Sequence, residues 1–230
     1  MKVYKFYQGS TLADYQELVK NIYGLPDDRM FSLQDLLVNL QRFAMRALKG
    51  IRKNNNKKLI HNLLISFSWL MSISNRIHIQ TEEIVWRRFP YLCSYCGSKP
   101  CICKKMKPLK KIKLTSNKKI QPNSLEEFQE MFSLIYPQDS RTLFEAGVHL
   151  AEELGELSEA IYIFTGKHSD NQFREIEDEL ADFISCIFGV ANSAKINIPK
   201  ELEKIYTRNC HACHNAPCSC NFSYIAKYSS

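Results

Sequence analysis

The stretches HLAEELGELSEAI (His149–Ile161) and EIEDELADFISCI (Glu175–Ile187) decide the fold of this chain. In each, two carboxylates stand three residues apart, Glu153 with Glu156 and Glu179 with Asp182. On a helix, positions i and i+3 share one face. The surrounding leucines, alanines and isoleucines belong to that same face, so the acids point toward apolar surroundings. Four ionised carboxylates gathered out of water are prohibitively costly unless something neutralises them. A hard divalent cation with oxygen ligands, Mg2+ above all, is the ordinary remedy. An exposed, ion-paired pair of helices is the alternative, but residues 121–230 carry only 8 Lys+Arg against 17 Asp+Glu. Cations are too few there to pair these acids on the surface.

Working outward, a long helix is expected from about Ser140 to Phe164, stopped near Gly166. Ser169-x-x-Gln172 opens a second one running to about Ala194. A short loop over about residues 165–170 would fold them antiparallel and bring the two acidic faces together. Ser124-x-x-Glu127 opens a shorter helix ending near Tyr136, and Pro199 suits the first position of a last short one. Counterparts lie near 11–23, 31–49, 56–78 and 81–89. Glycine and proline are sparse at 8 each. The expected class is all-α.

The cysteines expose a repeat. Cys93, Cys96, Cys101 and Cys103 give C-x2-C-x4-C-x-C with Pro100 before the third; Cys210, Cys213, Cys218 and Cys220 repeat the spacing with Pro217. The offset, 210 minus 93, is 117, and it also matches Ser68 to Ser185, Asn75 to Asn192 and Ile79 to Ile196. At a smaller offset LADYQELVKNIYG (Leu12–Gly24) matches LEEFQEMFSLIYP (Leu125–Pro137) at Gln16, Glu17, Ile22 and Tyr23. The chain reads as two copies of one helical unit, 1–103 and 121–230, each ending in a small four-cysteine loop, with a Lys-rich linker at 104–120. Four thiolates within 11 residues imply a closed structural Zn2+ site in each copy. Disulfides would need an oxidising compartment, and iron–sulfur clusters also use four cysteines. His211 and His214 lie inside the second loop but are not required, since four sulfurs already close the shell.

Net charge is +7, but residues 1–120 carry 23 minus 7, or +16, and residues 121–230 carry 8 minus 17, or −9. Such a split suggests internal complementarity or a nucleic-acid-facing module. Lys104 to Lys119 alone holds eight lysines, a solvated linker by default and an anion-binding arm less often. The start, MKVYKFYQGS, lacks the apolar core of a secretory signal, and Leu59 to Ile73, the most apolar stretch, is interrupted by His61 and Asn62. A cytoplasmic protein is expected.

EELGE (Glu152–Glu156) followed after 22 residues by ELAD (Glu179–Asp182) resembles the EExxE…ExxD signature of the MazG-like all-α nucleoside triphosphate pyrophosphohydrolases. The resemblance covers roughly residues 124–207. It implies a four-helix Mg2+ site that converts nucleoside triphosphates to monophosphates and pyrophosphate, with Glu153, Glu156, Glu179 and Asp182 as metal ligands and Glu152 a ligand or nearby base. Because such units commonly pair, it also implies an intramolecular pseudo-dimer. The chemistry agrees with the residues: cations held by carboxylates neutralise charge on a phosphate and activate water. Lys167, Arg174, Asn192 and Lys195, near the helix ends, are the candidate triphosphate contacts. Family members often carry an aromatic four residues after the final Asp; here that place is Cys186.

The first copy has lost the acids. Opposite Glu153, Glu156, Glu179 and Asp182 fall residues drawn from Leu36, Leu37, Asn39, Leu40, Asn62 and Ile65, which hold no metal. One copy is expected to be active and the other silent, with Arg42, Arg46, Lys49, Arg52 and Lys53 of the silent copy as possible phosphate partners. The competing expectation is a zinc module that binds nucleic acid or protein, its acidic site vestigial; Tyr91, Tyr95 and the neighbouring lysines lend the first cysteine loop that character.

Overall fold

Hydroxyl caps punctuate the chain. Thr11, Ser32, Thr142 and Ser169 each accept a backbone N–H from three residues on, and the acid or amide at that third position bonds back. These boxes open four of the five longest helices; Asn55 opens the fifth and Ser124 a shorter one. In the computed structural model, residues 5–221 are described. Among them the chain is all-helical: α1 (Leu12–Met30), α2 (Leu33–Arg52), α3 (Asn56–Arg76), α4 (Thr81–Arg88), α5 (Leu125–Ile135), α6 (Leu143–Lys167), α7 (Asp170–Ser193) and α8 (Ile198–Ile205). None is long and apolar enough to cross a membrane. Two boundaries differ from expectation. α1 continues through a buried Pro26 to Met30, because its apolar face keeps packing beyond Tyr23. α6 starts at Leu143, since Gln138–Ser140 forms a separate 3-10 turn before the Thr142 cap.

The helices gather into two compact units that cut the chain differently from the copies read in the sequence. One unit takes α1, α2 and α3 together with α8 and the second cysteine loop; the other is Thr81–Asn197, which takes α4, the first cysteine loop and α5, α6 and α7. In the first unit α3 packs against α1, α2 and α8; in the second α7 packs against α4, α5 and α6. Aromatic side chains lock the end pieces in place. Tyr206, beyond α8, lies 6.5 Å from Tyr15 and 6.3 Å from Tyr23. Phe89, beyond α4, lies 5.1 Å from Phe132, which in turn stacks on Phe188 at 5.2 Å. All these rings but Tyr23 are buried, so the end pieces keep large apolar area out of water where they dock.

The same pattern of polar contacts occurs inside each unit. The Gln16 side chain donates to Asn75 Oδ1 (3.1 Å) and to the Ile79 carbonyl (2.7 Å), while Asn75 donates to the Gln16 carbonyl (3.2 Å). Gln129 donates to Asn192 Oδ1 (2.9 Å) and to the Ile196 carbonyl (2.6 Å), and Asn192 donates to the Gln129 carbonyl (3.2 Å). The Cys101 N–H bonds the Ile135 carbonyl (2.8 Å), and the Cys218 N–H bonds that of Ile22 (2.6 Å). Each cysteine loop is thus fastened to a helix of its own compact unit, the first loop to the end of α5 and the second to α1.

Candidate metal centre

α6 and α7 run antiparallel, joined through His168, which takes the left-handed conformation (φ 54°), and the cap Ser169. Their facing turns bring Glu153, Glu179 and Asp182 together, with one carboxylate oxygen of each within 4.8 Å of the others. Glu153 Oε2 and Glu179 Oε2 are buried and accept no hydrogen bond. Desolvation, then the neighbouring Asp182, Glu156 and Glu179, push the Glu153 carboxyl up to about 8. Desolvation, Asp182 and Glu156 push Glu179 up to about 7. Acids so placed favour the neutral form until a cation arrives. Two orphaned buried oxygens and a compact all-oxygen donor set fit a hard divalent ion.

Not every predicted acid joins this group. Glu156 is exposed and lies outside the close triad, although its charge is felt by Glu153 and Glu179. Glu152 is exposed and pairs with His149 at 3.8 Å. Successive residues on a helix point roughly 100° apart, so Glu152 cannot share the inward direction of Glu153.

The cations at the site are ones the sequence did not mark. Arg88, at the end of α4, forks onto Asp182, donating from Nε to Oδ1 at 3.0 Å and from Nη2 to Oδ2 at 2.5 Å, and its Nη1 donates to Asp178 at 2.6 Å. Burial works against its charge, but Asp182, Asp178 and Glu179 outweigh burial and hold the guanidinium firmly protonated. Lys111, from the Lys-rich stretch, lowers Glu179 by its charge. That stretch is exposed yet tied down: Lys104 donates to the Ser140 carbonyl at 2.8 Å, Lys107 sits 4.7 Å from the Tyr95 ring, and the Ile112 N–H bonds the Tyr95 carbonyl. Arg141 lies 5.4 Å from the Tyr136 ring, in space that exists only because residue 189 is glycine. A Cβ on Gly189 would run into the Arg141 guanidinium.

The expected triphosphate contacts are elsewhere. Lys167 and Lys195 are exposed at helix ends. At about 1.5 Å per residue the 14 positions from Glu153 to Lys167 span roughly 21 Å. Arg174 is exposed near the start of α7, and Asn192 is committed to Gln129. Cys186 is buried, and desolvation pushes its thiol far up.

Both cysteine loops form groups of four in which the sulfurs lie within 4.8 Å of one another, and each could hold a zinc ion. Sγ···Sγ distances of 3.8 Å (Cys93–Cys103), 3.9 Å (Cys96–Cys101), 3.9 Å (Cys210–Cys220) and 3.7 Å (Cys213–Cys218) exclude disulfides. They match the edge of about 3.8 Å expected of a tetrahedron with Zn–S near 2.3 Å. Backbone N–H groups of Ala212, Ser219 and Cys220 point at sulfurs in the second loop, as thiolates require. His211 stands outside the sulfur set, its Nδ1 3.2 Å from the Tyr23 hydroxyl and its ring 5.5 Å from Tyr206; His214 is exposed. Comparison with known protein families, curated proteins and solved structures finds no match for this chain.

Proposed function

We propose that the unit Thr81–Asn197 is a Mg2+-dependent nucleoside triphosphate pyrophosphohydrolase, built as a MazG-like helical unit, and that the chain arose by duplication with the end pieces exchanged. The observation that carries the catalytic reading is the pair of buried, unpartnered oxygens on Glu153 and Glu179 beside Asp182. Duplication is supported by the recurring Gln–Asn and cysteine-loop hydrogen bonds. Zinc at both cysteine loops is supported by their sulfur spacing.

Glu153, Glu179 and Asp182 would hold the ion. When bound, Mg2+ supplies positive charge against the phosphates and activates water. Arg88 fixes Asp182 by a two-pronged contact and leaves a lone pair on each oxygen for a second partner. Arg88 and Lys111 also offset the repulsion between an acidic cluster and an incoming triphosphate. Glu156, exposed at the rim, is the acid placed to take a proton from attacking water. Water adds its oxygen to the α-phosphorus, the bond to the bridging oxygen breaks, pyrophosphate leaves, and the proton passes to Glu156.

The test is turnover of a panel of ribo- and deoxyribonucleoside triphosphates with Mg2+, with Glu153→Gln and Glu179→Gln alongside. Monophosphate plus pyrophosphate, lost in both variants, is the expected result. A second reading draws on Arg88, which already neutralises Asp178 and Asp182: the cluster would be a structural ion pair in a nucleic-acid- or protein-binding zinc module. Under that reading nothing is turned over, and nucleic-acid affinity falls steeply with salt through the Lys-rich stretch.

A further inference from the structure

The cations around the acidic cluster differ in what they hold. Arg88 is committed to Asp178 and Asp182. Lys104 reaches the residue before Arg141 and goes to the Ser140 carbonyl and Glu145. Arg141 itself is uncommitted. The side chain is half-buried, yet among the described residues no carboxylate or carbonyl accepts from its guanidinium. Two features hold it in place. One is the Tyr136 ring, 5.4 Å from the guanidinium, whose hydroxyl donates to Cys93 Sγ at 3.6 Å. The other is the bare flank of α7 at Gly189, where a side chain would collide with it. Gly189 also fixes where the guanidinium lies relative to the acids. Asp182 and Gly189 are 189 minus 182, or seven, residues apart on α7. That is almost two full turns, so they share one face about 10 Å apart. Cys186 lies between them and feels the charges of Arg141, Glu153 and Asp182.

We infer that Arg141 binds the terminal phosphate of the triphosphate, at the end that leaves as pyrophosphate; this rests on the pyrophosphohydrolase reading of Glu153, Glu179 and Asp182. A guanidinium half out of water with no anion beside it lacks the partner that would offset its desolvation. A ligand phosphate supplies that partner, and the planar five-donor fork matches phosphate oxygens two at a time. A nucleobase offers only neutral acceptors, so the charge would stay uncompensated. With the reacting phosphorus at the acids, the far end of the phosphate chain is the part of the substrate whose charge the acid-bound cation neutralises least. Arg141 stands along the same face of α7, beyond Cys186, where an extended chain reaches it. When the bond from the α-phosphorus to the bridging oxygen breaks, its electron pair goes to pyrophosphate. A fixed guanidinium at that end meets the growing charge without having to move. The Tyr136 hydroxyl further ties this contact to Cys93, and so to the first cysteine loop.

The experiment compares the full chain with Arg141→Met, Arg141→Lys and Gly189→Ala. Each is assayed with Mg2+ on a nucleoside triphosphate and on the matching diphosphate, and titrated calorimetrically with inorganic tripolyphosphate and orthophosphate. The parent should bind tripolyphosphate saturably and more tightly than orthophosphate. Arg141→Met should lose at least about tenfold in kcat/KM on the triphosphate and little on the diphosphate, as expected for removing a charged hydrogen-bond partner. Its tripolyphosphate affinity should fall by a similar factor. Arg141→Lys should lie between, since it keeps the charge but not the fork. Gly189→Ala keeps the arginine but pushes it aside, so it should lose a few-fold on the triphosphate alone. Equal losses on triphosphate and diphosphate, as a merely structural arginine would give, would overturn the proposal while leaving the reaction standing. Unchanged tripolyphosphate affinity in Arg141→Met, or no tripolyphosphate binding by the folded parent, would overturn it too. Tripolyphosphate binding that depends on Arg141, without turnover of any triphosphate, would support the contact and sink the reaction alone.

Discussion

α2 with α3 and α6 with α7 are the same construction around opposite centres. Both are long helix pairs opened by side-chain caps and braced by a Gln–Asn bond, to α1 in one unit and to α5 in the other. In one pair the facing turns hold Leu36, Leu40, Asn62 and Ile65, all buried. In the other they hold Glu153, Glu179 and Asp182, two of them raised by desolvation and mutual repulsion. The half-buried acids with unpartnered oxygens are what the proposed metal site rests on.

The largest effect should come from the acids. Glu153→Gln and Glu179→Gln should each lower kcat/KM by roughly 100-fold or more, at or beyond the loss typical for outer partners of metal ligands. The metal-free variants should remain as stable as the parent or more so. Steady-state kinetics and urea unfolding check both; a variant that unfolds would make the acids structural, like their apolar counterparts.

Next come the cysteines, whose two loops belong to different compact units. Cys93→Ser should damage turnover, since its loop belongs to the acidic unit, and Cys210→Ser should spare it. Removing either thiolate should cost several kcal/mol of the stability that zinc confers. Activity lost in Cys210→Ser but kept in Cys93→Ser would restore the division at 103 and 121.

A smaller effect concerns pH. Asp27 is raised from the usual carboxylate range to about 7 by burial, with Asp28 adding to the rise and Ser72 and Arg76 opposing it. The folded state holds its proton more tightly than the unfolded chain, so this group stabilises fully below about pH 4. Its contribution is lost as pH rises through 7. Asp27→Asn should flatten the stability of its unit over that range, as followed by hydrogen exchange across α1 and α3.

The smallest concerns glycines. Gly189→Ala should displace Arg141 and slow turnover a few-fold, because the new Cβ would meet the guanidinium. Gly155→Ala, with nothing within 4 Å, should be neutral or stabilise α6 by up to about 1 kcal/mol. Thermal unfolding and kinetics separate the two.

Much of this was legible because it is local. Ser169–Gln172 capping, the i, i+3 acids and the cysteine spacings depend on neighbours in sequence. What was illegible depends on partners far along the chain. Arg88 meets Asp182 across 94 residues, and nothing near it signals that role except the basic excess of the first half. The grouping of α8 and Tyr206 with α1 was hidden for the same reason, since it depends on Tyr15 and Tyr206, which are 206 minus 15, or 191, positions apart. Lys167, Arg174 and Lys195 are the expected cations of the acidic half, whereas Arg88, which pairs with Asp178 and Asp182, comes from the basic half.

The most direct measurement is turnover of a nucleoside triphosphate with Mg2+ in 18O-labelled water, with mass analysis of the products. The account predicts one labelled oxygen in the monophosphate and none in pyrophosphate, because attack is at the α-phosphorus. Label in free phosphate beside a diphosphate product, or no turnover by the folded protein, would contradict it.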